Sequence, residues 1–167
     1  MQNKKFSSDK KWLYMTFFME DIERAWRCAL DVEAWLNVMT AGDGEIKHIS
    51  GKKGNIGMGL IHTKMPSAPG IRRLNGWFEH YVIVDIDPVL KQLRLKVNTE
   101  HSMMMRRKGE KHMFLNINQE PEPDGKYLMT IQFNMNQKPT IVNSTREYYA
   151  ARDALSTHFH YYEPKED

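Results

Sequence analysis

Three adjacent residues, Glu79, His80 and Tyr81, bring together a carboxyl, an imidazole and a phenol, the groups best suited to moving protons. They lie in a run from Asn75 to Ile86 that reads as a long strand, so successive side chains face opposite ways. His80 shares one face with Phe78, Val82, Val84 and Ile86, whereas Glu79 and Tyr81 share the other with Trp77 and Ile83. Whichever face turns inward carries a titratable group into apolar surroundings, where a general acid or base is chemically plausible. A hydrogen-bonded core histidine, or an exposed pair, is the competing reading. No catalytic residue can be assigned from the sequence.

The remaining chemical candidates are weaker. Gly54-x-x-Gly57-x-Gly59 invites a phosphate cradle, but it has neither the lysine of G-x-x-x-x-G-K-[ST] nor the spacing of G-x-G-x-x-G. No helix is expected to start after Gly59, which removes the helix N-terminus that would hold an anion. Tight turning and close strand packing explain these glycines more simply. His158 and His160 sit two apart on a helical segment and point to nearly opposite sides. His48, His62, His80, His101 and His112 are scattered over different strands without ligand-type spacing, so no metal site and no cofactor are expected. Cys28 is the single cysteine and reads as a buried, inert thiol. Lys52-Lys53, Arg72-Arg73 and Arg106-Arg107-Lys108 fall in expected loops. They read as solvated charge, or as a rim receiving an anionic ligand or a membrane surface.

Composition narrows the class. At 167 residues, 41% hydrophobic and 27% charged, the chain suits one soluble globular domain with a sizeable core. A net charge of +3 is too balanced to argue for nucleic acid. No apolar run approaches the roughly 20 residues of a membrane span. The polar start, Met1 to Lys11, lacks the apolar stretch of a signal peptide. With one cysteine no internal disulfide can form, and a reducing cytoplasm is the expected location.

These residues need a scaffold, and its elements are legible. Residues 1–10 read as a flexible tail and 11–167 as a single domain. Lys11 to Met19 is rich in aromatic residues and suits a strand. Ile22, Ala25, Trp26, Ala29 and Leu30 recur at helical spacing, with Asp21 as N-cap; Asp31 then caps a second short helix bearing Trp35, Leu36 and Met39. Trp26 and Trp35 read as core anchors. Glu45 to Ser50 and Gly57 to Met65 form a hairpin around Gly51 to Asn55. Further alternating strands follow the 75–86 run: Leu93, Leu95, Val97; Met113, Leu115, Ile117; and Tyr127, Met129, Ile131, Phe133, Met135. A last helix carries the stripe Tyr148, Ala151, Leu155, Phe159 and Tyr162, opened by a capping box from Ser144 to Glu147.

The segments Asp21-Ile22-Glu23-Arg24-Ala25-Trp26, Leu30-Asp31-Val32-Glu33-Ala34-Trp35, Gly44-Glu45 and Gly57-Met58-Gly59 carry a resemblance. In this order they resemble the START and pollen-allergen (SRPBCC) superfamily, which includes polyketide cyclases and lipid-transfer domains. The resemblance implies an α+β helix-grip fold. A curved antiparallel sheet of about seven strands would carry two short helices after the first strand and a long C-terminal helix packed across it. It also implies a cavity between sheet and helix, where apolar faces do not meet everywhere. The side chains expected to bind a ligand there are Trp77, His80, Tyr81, Met129, Phe133, Tyr148 and Leu155.

The expected function is therefore the binding of an apolar or amphipathic small molecule, lipid-like or aromatic and polyketide-like. An alternative is a cyclase or dehydratase acting in the same cavity. A further alternative is a protein-interaction module like the chaperone-activating branch of the superfamily. The oligomeric state and the identity of the ligand stay open.

Overall fold

The computed structural model describes residues 12–40, 45–64, 77–101, 107–134 and 145–163. Strand β1 (Trp12–Met19) is followed by helices α1 (Ile22–Leu30) and α2 (Val32–Thr40). Strands β2 (Glu45–Ser50), β3 (Gly59–Lys64), β4 (Trp77–Asp87), β5 (Gln92–His101), β6 (Arg107–Ile117) and β7 (Tyr127–Asn134) come next, and helix α3 (Thr145–His160) closes the series. The seven strands form one curved antiparallel sheet ordered β1-β7-β6-β5-β4-β3-β2. Strands β2 to β7 thus run as a meander, and β1 adds beside β7. This is the α+β helix-grip architecture.

Alternation along the strands decides which face is packed. Met15 and Phe17, Leu93 and Leu95, Met113 and Leu115, and Met129 and Ile131 are all buried against the helices. Helix α3 buries the stripe Tyr148, Ala151, Leu155 and Phe159 on the same side. The Phe159 ring lies 6.3 Å from Phe17 and 6.4 Å from Trp35, so sheet, α2 and α3 meet there. Tyr148 donates its hydroxyl to the Tyr14 carbonyl at 2.8 Å, fixing α3 to the free edge of β1.

Local chemistry sets the helix boundaries. The Asp21 side chain accepts from the backbone N–H of Arg24 at 3.1 Å, as an N-cap does. Asp31 behaves differently from expectation. Its backbone carbonyl accepts from Ala34 and Trp35 at the start of α2, while its carboxylate accepts from Tyr162 at 3.0 Å. The side chain links the segment after α3 to the α1–α2 corner and leaves the cap to the backbone. Trp35 closes that corner from the other side by donating its indole N–H to the Ala29 carbonyl at 2.9 Å.

The loop before β3 is held by close backbone approach. Gly51 has φ +76°, and a Cβ there would lie 2.6 Å from the Gly57 carbonyl oxygen. Three of the loop's N–H groups go to carbonyls: Asn55 donates to Lys52, Met58 to Asn55, and Gly57 to Ile83 on β4. A strand follows Gly59. The glycines therefore build a turn and a strand contact.

One cluster sits differently from expectation. Strand β6 begins at Arg107, so Arg107 and Lys108 open a strand instead of tipping a loop. Arg72, Arg73, Met103, Ser144 and residues 1–10 lie outside the described residues.

Candidate functional site

Glu79 and Tyr81 face the helices, and this settles which side of β4 looks inward. Both side chains are fully buried, as is Ile83, whereas His80 is half-buried on the opposite face. There its ring nitrogen lies near the Cα of Gly59, at 3.4 Å from where a Cβ would stand. Antiparallel pairing places His62 of β3 directly across from Glu79. His62 is buried as completely.

The three groups converge on one oxygen. The Tyr81 hydroxyl donates to Glu79 Oε1 at 3.0 Å, and His62 Nδ1 lies 3.3 Å from the same atom. Removing a carboxylate from water costs several kcal/mol, so it is tolerated only where donors replace the lost hydration. The phenol and the imidazole supply that replacement. Burial pushes the Tyr81 phenol well above its ordinary value, and the adjacent Glu79 carboxylate, by charge and by hydrogen bond, pushes it further. Tyr81 is accordingly a firm donor at neutral pH. The arrangement can orient a polar group or pass a proton among acid, base and phenol.

The expected binding residues divide into three sets. Tyr81, Met129, Tyr148 and Leu155 are all buried in the core between sheet and helices. His80 stands apart from them on the outer face. Trp77 and Phe133 fall in β4 and β7, but their side chains lie outside the described residues. His62 was not among the expected site residues, because only the strand register brings it to Glu79 from 17 positions away.

A second, part-buried polar group forms near the α1–α2 corner. Burial, then the Asp31 charge, drives the Cys28 thiol far upward. Tyr162 is pushed up to about 12 by burial and then by Asp31, whose carboxylate it donates to. Burial lowers His158, with Asp31 opposing. The thiol is protonated and inert, so this cluster serves packing.

The depressions bounded by described residues include two of note. One is a groove of about 730 Å³ on the outer sheet face, lined by Tyr14, Arg94 and Phe114 among others. The other is a recess of about 210 Å³ between Met19–Arg24 and Phe159–His160. Among the described residues no group of three or more His, Cys, Asp or Glu side chains could hold a metal ion. Within the same residues, no helix is long and apolar enough to cross a membrane.

The fold and its inward-facing polar cluster define a helix-grip domain. Comparison with solved structures gives the same fold. Major latex-like protein 151 from Panax ginseng matches with a TM-score of 0.55 at 14% identity, over 89% of this chain and 96% of that one. Truncated norcoclaurine synthase from Thalictrum flavum matches with a TM-score of 0.58 at 12% identity, over 92% and 95%. Protein Ms6760 from Mycobacterium smegmatis matches with a TM-score of 0.59 at 11% identity, over 92% and 93%. No family model and no curated protein sequence matches the chain. The structural neighbours thus share the helix-grip architecture of the pollen-allergen-like proteins, at identities that speak to fold.

Proposed function

We propose that this protein binds an amphipathic small molecule between the inner face of its sheet and α3. The observation that carries this reading is the buried Glu79–Tyr81–His62 cluster on an otherwise apolar, methionine-rich face. An apolar body would rest on Met129, Tyr148 and Leu155, with Trp77 and Phe133 completing the expected contacts. Its polar end would meet the Glu79 cluster. Methionine and aromatic side chains adapt to irregular apolar shapes, which suits a lipid-like or aromatic ligand. Norcoclaurine synthase of the same fold has been solved with dopamine and hydroxybenzaldehyde, which supports a small-molecule role for this architecture. A reducing, cytoplasmic setting suits the single buried thiol.

A thermal-shift screen against lipids and aromatic polyketides tests the reading. The expected result is a stabilising compound whose effect shrinks in Glu79→Gln, a variant that keeps the side-chain shape. The absence of any stabilising compound would count against it.

The cluster also favours a second reading, catalysis of the cyclase or dehydratase type. Glu79, Tyr81 and His62 meet the geometric requirement that acid and base lie within hydrogen-bond reach. Turnover of a bound polyketide-like compound, lost in Glu79→Gln while binding persists, would distinguish catalysis from carriage.

A further inference from the structure

The outer face of the sheet carries a groove that the inner-face reading does not use. Tyr14 and Thr16 flank the core residue Met15 on β1, and Phe114 and Asn116 lie between core positions on β6, while the core residues Leu93 and Leu115 also border the groove. Strand register arranges them in two rows. One runs Tyr14–Gln132–Phe114–Arg94–Asp85 across five strands, each residue the direct partner of the next. The other runs Thr16–Thr130–Asn116–Gln92. A groove of about 730 Å³ over these rows falls in the size range of small-molecule sites.

The groups in it are those of a polar, uncharged ligand. Arg94 and Asp85 face each other across β4 and β5, roughly 5 Å apart at the backbone. That separation is shorter than the Debye length of about 8 Å at physiological salt, so a ligand above the row meets little net charge. Yet among the described residues the two form no ion pair, and no hydrogen bond engages either side chain. The side chains of Gln132, Thr130 and Tyr14 are likewise without partners among the described residues. The groove thus presents a guanidinium, a carboxylate, an amide and hydroxyls, donors and acceptors together. Phe114 and Tyr14 add flat apolar surface beside them.

We infer that this outer groove binds a neutral polyhydroxylated ring, such as a glycoside. Its hydroxyls meet the Arg94, Asp85 and Gln132 side chains, and its apolar C–H face rests on the aromatic rings. A charged ligand gains from one of these two residues what it loses to the other, whereas a polyol uses both as hydrogen-bond partners.

NMR titration of the full chain with methyl β-glucoside, glucuronate and glucosamine separates the cases, because the three share one ring and differ in charge. The expected result is that methyl β-glucoside binds most tightly, at millimolar concentration, and shifts the amides of Tyr14, Arg94, Phe114 and Thr130. Arg94→Ala, a change at an exposed position, should weaken it by about tenfold. Tighter binding of either charged sugar, unchanged affinity in Arg94→Ala, or no binding would overturn the inference. Shifts confined to Glu79, Tyr81 and their neighbours would overturn it too, while leaving the inner-face reading in place.

Discussion

Tyr81 donates its phenol to Glu79 Oε1 at 3.0 Å inside the core, two residues along the same strand and on the same face. His62 approaches that oxygen from the neighbouring strand. The carboxylate is thus the hub, and the cost of its removal should exceed that of either donor. Glu79→Leu removes the acceptor that the buried Tyr81 phenol and His62 imidazole share and should destabilise by about 3–5 kcal/mol. Tyr81→Phe removes one hydrogen bond and should cost about 1 kcal/mol. Urea unfolding of both variants checks the order, and a costlier Tyr81→Phe would show that the carboxylate is not the hub.

Tyr148 ties α3 to the edge of the sheet through the Tyr14 carbonyl. Tyr148→Phe keeps the buried ring and loses only that bond, so a loss of about 1 kcal/mol is expected. Amide hydrogen exchange should accelerate first in β1, the edge strand that the bond restrains. Uniform acceleration across the sheet would mean that the bond has no local role.

Much of this scaffold could be read from residue spacing, because period and polarity report directly on which face is packed. The α3 stripe Tyr148, Ala151, Leu155 and Phe159, the strand sets on β5 and β6, and Met129 and Ile131 on β7 follow from periodicity alone. The site was less legible. Alternation shows that Glu79 and His80 face opposite ways, but not which of them faces the core. That depends on which face of β4 receives the helices. His62 is a stronger case, since its meeting with Glu79 depends on β3–β4 register across residues 65–76. The Asp31 side chain is a third. Its spacing predicts a cap, but a phenol 131 positions away claims the carboxylate instead.

Two glycines close to the same loop should respond differently to alanine. At Gly51 the positive φ is strained for any L side chain, and the new Cβ meets fixed backbone at Gly57 and Met58. Gly51→Ala should therefore cost about 1–3 kcal/mol. At Gly59 the nearest obstacle is the Ser50 hydroxyl, 2.5 Å away, which can rotate aside. Gly59→Ala should be milder, and thermal unfolding of the two variants gives the comparison. Equal losses would show that Ser50 cannot move.

Alkaline stability should depend on Tyr162. Its phenol is raised from the usual 10 to about 12, with burial first and Asp31 next as causes. Between those values the unfolded chain releases the proton and the folded chain keeps it, so the folded state binds more protons and stability falls as pH rises. Below about pH 10 this contribution is complete. Tyr162→Phe should therefore show a shallower decline between pH 10 and 12, followed by denaturant midpoints. An unchanged slope would remove Tyr162 from the account.

The acid side should involve His158. Burial lowers its pKa despite the Asp31 charge, so the folded state favours the neutral ring packed on Phe159 and Tyr162. The unfolded chain then takes up the proton first, and stability should fall as pH drops below about 6.5. His158→Gln should flatten that fall in the same denaturant series, and an equally steep fall would assign it to other groups.

The central claim is that a small molecule binds between the inner sheet face and α3. Native mass spectrometry of the protein purified from its source cells tests it most directly. The account predicts a one-to-one noncovalent adduct of an amphipathic compound, released on denaturation and depleted in Glu79→Gln. The bare chain mass alone, in wild type and variant alike, would contradict it.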